Sequence, residues 1–383
     1  MDNDKKHIGI INLQFTNNYG AVIAAAVLED VVGTIVGSDY IVDTIDFYPT
    51  KEFSNRIARY MDEAKQWGGW KLFLKAHFNK SNGTEASRLR GKRFKSFKAD
   101  FLNLTPVIKD AYEINKDNNY SAFITGSDIV WAPKRTDNFR ADGYYLKFAN
   151  KGERRIAYAP SLDNVVNKKL LKISHYYRDS LKSLDYISVR EKSNIDFIQS
   201  LTDKKVYHCA DPAFLVDADY YDKMIDSAKI GNKQQKYIYV YILEINQEIV
   251  DYANKLATEK GLKICYYSAN HSNYIENSED CTADGPAEFL FRLKNAEYVL
   301  TNSFHCVVFS LIFKKKFLSF IRSSVSIKST DLLECFNLSN RVVGDSSFAD
   351  IDEEIDFSAV DKTLQKIKDE SLDYLKNALS GIN

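Results

Sequence analysis

The chain has 383 residues with 52 basic and 52 acidic side chains, 45% hydrophobic residues and 27% charged residues. Such a length exceeds one small module, the composition suits a chain that buries a core, and the balanced charge gives no support to nucleic acid as a partner. Five scattered cysteines without CxxC spacing exclude a zinc ribbon or a disulfide framework, and point to a reducing compartment.

In chain order, His7 to Leu13 reads as a buried strand, Gln14 to Tyr19 as a polar loop and Gly20 to Val36 as a helix, a Rossmann-like opening. Strands follow at Tyr40 to Asp46, Ala122 to Thr125, Arg155 to Ala159, Asp185 to Val189 and Lys205 to Cys209. An insertion around 51–105 breaks this rhythm, and from Lys65 to Lys98 its basic side chains face the single acid Glu85. It reads either as an interfacial patch for an anionic membrane, aided by Trp67, Trp70, Phe73 and Phe78, or as a solvated helical insertion.

A second series comprises a strand at Tyr237 to Leu243, a helix at Gln247 to Lys260, a strand at Leu262 to Ser268, a helix at Pro286 to Asn295 and a strand at Ala296 to Asn302. A helix at Ala359 to Leu379 closes the chain, and Asp217 to Gln235 has the composition of a linker. The alternation predicts an α/β protein of two Rossmann-like domains, 1–217 and 236–383, facing a cleft in a glycosyltransferase-B-like arrangement. The N-terminal apolar run is too short for a secretory signal and no later run reads as a membrane span, so a cytoplasmic location is expected, with peripheral contact at the inner membrane face if the basic patch binds lipid.

Ligands of parallel sheets bind beyond the carboxyl ends of strands, which directs attention to four loops. Asn17, Asn18, Tyr19 and Gly20 offer amides and backbone N–H groups at a helix start, or else a plain cap with a glycine for close packing. Gly126, Ser127, Asp128 and Trp131 offer a close backbone approach, a hydroxyl, a carboxylate and a ring for a sugar to stack on, or else a cap with a core tryptophan. Arg190 and Glu191 follow an apolar strand, with Arg190 suited to a phosphate or carboxylate, or to an ion pair. Ser303 stands where it would cap a helix whose first turn carries His305, a residue suited to an arriving anion or to a core contact. The remaining histidines lack metal-ligand spacing, so no metal is expected. Asp211-Pro212 reads as a feature of the interdomain entrance or as a simple strand-ending turn.

Together, NNYGA (17–21), GSDIVW (126–131), IAYAPSL (156–162), ISVRE (187–191), ADPAFLVD (210–217) and the segment from Gly285 to His305 resemble the polysaccharide pyruvyl transferase family in order and over most of the chain. The resemblance implies phosphoenolpyruvate as donor substrate, no cofactor or metal, and a sugar hydroxyl acceptor on a bacterial glycan or lipid-linked oligosaccharide that becomes a pyruvate ketal. By similarity His305 belongs to the phosphate or the proton transfer and Arg190 to the donor's anionic groups. Asn17, Asn18, Ser127 and Asp128 then fall to the acceptor side or the cleft floor, with Asp128 or Glu191 as base. This sequence has Ser303 where some members carry arginine, Lys328 where many have arginine, and Cys306 in place of a frequent glycine. Two other functions fit the same pattern: a glycosyltransferase using a nucleotide-sugar donor, and a noncatalytic glycan-binding assembly protein.

Overall fold

A parallel sheet between helix layers requires short strands buried on both faces, and the β-branched and aromatic runs meet that requirement. The computed structural model describes residues 5–48, 85–116, 119–132, 142–162, 174–228, 230, 236–244, 246–269, 275–321, 327–344 and 350–382. The first sheet contains β1 (Lys6–Ile11), β2 (Tyr40–Thr44), β3 (Tyr120–Thr125), β4 (Arg154–Ala157), β5 (Tyr186–Val189) and β6 (Val206–His208), in the order β2-β1-β3-β4-β5-β6. The second contains β7 (Tyr237–Ile242), β8 (Lys263–Ser268), β9 (Glu279–Asp280), β10 (Tyr298–Thr301), β11 (Lys316–Phe320) and β12 (Val342–Val343), in the order β12-β11-β10-β7-β8-β9. All pairings are parallel. Both orders reverse direction beside the first strand of their unit, between β1 and β3 and between β7 and β10, and such a switch point opens a crevice at the strand ends. These are two Rossmann-like units in the glycosyltransferase-B-like arrangement expected.

The helices that matter for the site are α1 (Tyr19–Val36), α2 (Glu85–Phe101), α3 (Ser174–Leu181), α4 (Gln247–Lys260), α5 (Pro286–Asn295), α6 (Phe304–Ile312), α7 (Ile327–Cys335) and α8 (Phe357–Leu379). Against the sequence reading, α1 is long and apolar enough to cross a membrane by length and composition. Its burial accounts for that composition: Val22, Ile23, Val27 and Leu28 are inaccessible, and the helix packs into one hydrophobic cluster with Phe289, Val308 and Leu375 from the other end of the chain. The closing helix, grouped by sequence with the second unit, crosses back to the first. There the Tyr374 hydroxyl donates to the Ala157 carbonyl at 2.8 Å, and Ser371 Oγ accepts from the Ala210 amide at 2.9 Å.

The linker expectation holds only in part, because Tyr221 and Met224 are fully buried and the Tyr221 hydroxyl donates to the Ala213 carbonyl. The basic insertion contributes α2, whose Phe94 and Phe97 face inward. Its Arg93 bonds the Ala283 carbonyl at 2.9 Å and pairs with Glu288 at 2.9 Å, so this arginine joins the two units rather than facing a membrane. Residues 49–84, which hold Trp67, Trp70, Phe73 and Phe78, lie outside the described residues.

Candidate functional site

The site forms where the carboxyl ends of β5 and β6 meet the start of α6. Arg190 directly follows β5, Asp211 lies three residues past β6, and His305 is the second residue of α6. All three are buried, at 5%, 2% and 6% exposure. Asp211 Oδ2 accepts from Arg190 Nη1 at 3.0 Å and from Ser127 Oγ at 3.4 Å, and His305 Nε2 stands 3.5 Å from the same oxygen. The other oxygen, Oδ1, accepts from the Ala213 amide at 3.1 Å, which fixes the carboxylate at the start of the Pro212–Phe214 turn. Thus one carboxylate of the first unit gathers a guanidinium from its own sheet and an imidazole from the other unit.

Charge in this dry setting is strongly coupled. Burial alone would push the Asp211 carboxyl up, yet facing His305 and Arg190 pulls it down to about 2. Burial alone would likewise loosen the Arg190 proton, but Glu191, Asp211 and Asp128 hold it more tightly than in an ordinary arginine. The Arg190 guanidinium also lies over the Phe304 ring at 4.1 Å, a second contact across the units. Within this cluster two buried nitrogens nevertheless lack a hydrogen-bond partner among the described residues: Arg190 Nη2 and His305 Nε2, the latter standing only at the long 3.5 Å separation from Asp211. A buried donor without an acceptor is costly, so the site is set to receive one, and an anion answers both donors best.

The expected site residues divide. Ser127, Asp128, Arg190, Glu191 and His305 come together. Asp128 lies 3.9 Å from Arg190 Nη1 with its side chain partly open, whereas Glu191 spends its oxygens on Arg190 Nε at 3.0 Å and Asn194 Nδ2 at 2.9 Å. Glu191 therefore orients the arginine and is unsuited to be the base. Lys328 lines, with Arg190, Glu191, Asp211 and Phe304, a pocket of about 30 Å³ between the units. Gly20 meets His305 directly, since a Cβ there would stand 1.9 Å from His305 Cγ.

Others serve the scaffold. Asn18 is a cap, accepting from the Ala21 amide at 3.3 Å, and the exposed Asn17 gives its carbonyl to Arg90 Nη2 at 2.6 Å. Tyr19 is buried, stacks on Phe289 at 4.8 Å and donates to the Asp284 carbonyl at 2.8 Å. Two expectations are corrected outright. Trp131 is inaccessible and stacks on Tyr145 at 5.0 Å, so no sugar reaches its ring. Gly126, at φ 136°, would place a Cβ 1.8 Å from the Tyr158 carbonyl oxygen, so it admits a neighbouring strand's backbone rather than a ligand. Ser303 occupies the cap position of α6 without a capping bond from its side chain, and its amide instead donates to Thr301 Oγ1 at 3.0 Å. The buried Cys306 thiol is pushed up to about 12 by desolvation, an inert neighbour.

Sequence reasoning missed Asp211 as the centre of the cluster. The signal was present: a carboxylate just past β6, the sheet neighbour of the strand that delivers Arg190.

A family model for polysaccharide pyruvyl transferase matches residues 18–324, most of the chain. Among solved structures, UDP-GlcNAc 2-epimerase from Neisseria meningitidis bound to UDP-GlcNAc is 7% identical with a TM-score of 0.49, over 99% of this chain and 94% of that one. UDP-GlcNAc 2-epimerase from Methanocaldococcus jannaschii in complex with UDP-GlcNAc and UDP is 10% identical with a TM-score of 0.46, over 95% and 92%. The wall teichoic acid polymerase TagF is 11% identical with a TM-score of 0.44, over 99% and 86%. No curated protein matches the chain in sequence.

Proposed function

The chain belongs to the polysaccharide pyruvyl transferase family, and from that membership we propose that it moves the pyruvate group of phosphoenolpyruvate onto two hydroxyls of a sugar, forming a cyclic ketal. The acceptor in this reading is a bacterial surface polysaccharide or its lipid-linked precursor, and the reaction takes place in the cytoplasm, where the donor is made. The observation that supports the donor is the pair of buried unpartnered nitrogens, Arg190 Nη2 and His305 Nε2, supplied by opposite units around one carboxylate. A small dianion or trianion satisfies both at once.

The chemistry asks for three things. A proton is added to the methylene carbon, a sugar oxygen attacks the cationic carbon that results, and phosphate departs as the second hydroxyl closes the ring. Of the two hydroxyl protons, one balances that given to carbon and the other leaves with phosphate. In this reading His305 delivers the proton to carbon, Arg190 steadies the phosphate or carboxylate, and the partly open Asp128 receives a proton from the attacking hydroxyl. Lys328, on the pocket wall beside Arg190, adds positive charge on the donor side.

The test is purified protein with phosphoenolpyruvate and a panel of galactosides and N-acetylhexosaminides. Release of phosphate together with pyruvate mass on the glycan is expected. Consumption of a nucleotide sugar, with phosphoenolpyruvate untouched, would replace this reading by a glycosyl transfer.

A further inference from the structure

We propose that Asp211 is the positioning residue of the donor site, the single group that sets the spacing of Arg190 and His305 across the two units. The inference rests on the phosphoenolpyruvate reading. Its basis is geometric: Arg190 Nη1, Ser127 Oγ and His305 Nε2 lie 3.0, 3.4 and 3.5 Å from one Asp211 oxygen, while the Ala213 amide anchors the other oxygen at 3.1 Å. The other carboxylates paired with Arg190 among the described residues belong to its own unit: Asp128 at 3.9 Å and Glu191 at 3.0 Å. Among the described residues Asp211 is the carboxylate that reaches both Arg190 and His305, so removing its charge frees the two side chains to move independently.

Asp211 also has a cost for the donor, because it places a buried negative charge beside an anion site. This gives its role a signature that structural damage does not share. In Asp211→Asn the shape and the Ala213 bond persist, but the charge that orients Arg190 and His305 is gone. Turnover should fall about 100-fold, as expected for misplaced reacting groups. Affinity for phosphoenolpyruvate, measured by calorimetry without acceptor, should stay the same or tighten, since a repulsive charge has been removed.

A kcat within about threefold of wild type overturns the proposal, as does a parallel loss of kcat and donor affinity, which is the mark of a merely structural residue. Should the variant fail to fold, Ser127→Ala removes one bond to the same oxygen; a several-fold fall in kcat at unchanged donor affinity supports the proposal, and unchanged kcat overturns it. A wild type that neither binds nor consumes phosphoenolpyruvate sinks the donor reading itself, an outcome distinct from an active wild type with an unimpaired Asp211→Asn.

Discussion

Arg190 and Arg90 both leave the first unit to meet aromatic rings at its boundary with the second, yet their surroundings differ in kind. Arg90 sits among Tyr19, Phe94 and Tyr267, with its guanidinium 4.9, 4.9 and 5.2 Å from their centroids, and its bonds go to the Tyr19 hydroxyl at 3.2 Å and the Asn17 carbonyl at 2.6 Å. Arg190 has one ring, Phe304, and is otherwise surrounded by carboxylates, with Nη2 left over. The first arrangement gains from desolvating a cation against rings and neutral oxygens. The second stores charge around an unmet donor, which burial penalises unless an occupant completes it. The boundary therefore has a clasp in one arginine and a receptor in the other.

The sharpest way to break that comparison is at the receptor. His305→Ala should lower turnover by roughly 1,000-fold, the scale of a lost proton donor, while the protein still folds. Activity near wild type would make His305 a packing residue no different from the rings around Arg90. Gly20→Ala probes the same group from the other unit. Its new methyl would meet the imidazole at an impossible distance, so His305 must shift, and a displacement of about 1 Å is expected to cost ~100-fold in kcat. A crystal structure of the variant with a displaced imidazole, together with full activity, would remove His305 from the reaction.

At the clasp the opposite pattern is expected. Arg90→Ala should lower stability by about 1–2 kcal/mol, the worth of a largely desolvated cation–π contact, and leave kcat of the folded protein within about threefold. Chemical denaturation and steady-state kinetics on the same sample decide this. A kcat loss beyond about tenfold with normal stability would give the clasp a part in chemistry. The same clasp argues against a membrane role for this stretch of α2, since Arg90 meets the Tyr267 ring and Arg93 pairs with Glu288, both across the units.

How much of this was legible in the sequence depended on whether a local rule governed the feature. Strands such as Tyr237–Ile242 and helices such as Gln247–Lys260 were readable because apolar runs, an Asn246 cap and a Gly261 terminus are local signals. Arg190 and His305 stood out because strand ends of parallel sheets carry ligands. What failed was direction. Trp131 looked available because it follows the polar turn at Ser127 and Asp128, and only the fold shows Tyr145 already stacked on it. Likewise Gly126 announced a close approach without revealing that the approaching atom is the Tyr158 carbonyl oxygen. Asp211 had the plainest disguise, since an Asp-Pro pair after a strand is an ordinary turn until an imidazole arrives from 94 residues away, at His305. Strand β11, which follows a run of lysines, and the short β12 gave no clear period and went unread.

A pH series separates the clasp from the receptor. Asp211 has its carboxyl held at about 2 in the fold against 3.8 for an ordinary aspartate. Because the folded value is depressed, the ionised form supports the fold above about pH 4, and that support is lost as pH falls through about 2. By linkage this amounts to about 2 kcal/mol, since the side chain is fully buried and not screened by solvent. Denaturant unfolding of wild type and Asp211→Asn at steps from pH 5 to pH 2 should therefore show a steeper decline in wild type than in the variant, which keeps the other depressed carboxylates such as Asp352. Arg90→Ala, which removes no carboxylate, should keep the wild-type decline and only lower the whole curve. If the Asp211→Asn curve falls in parallel with wild type, the Asp211 charge does not hold the receptor together, and the contrast between the two arginines loses its electrostatic half.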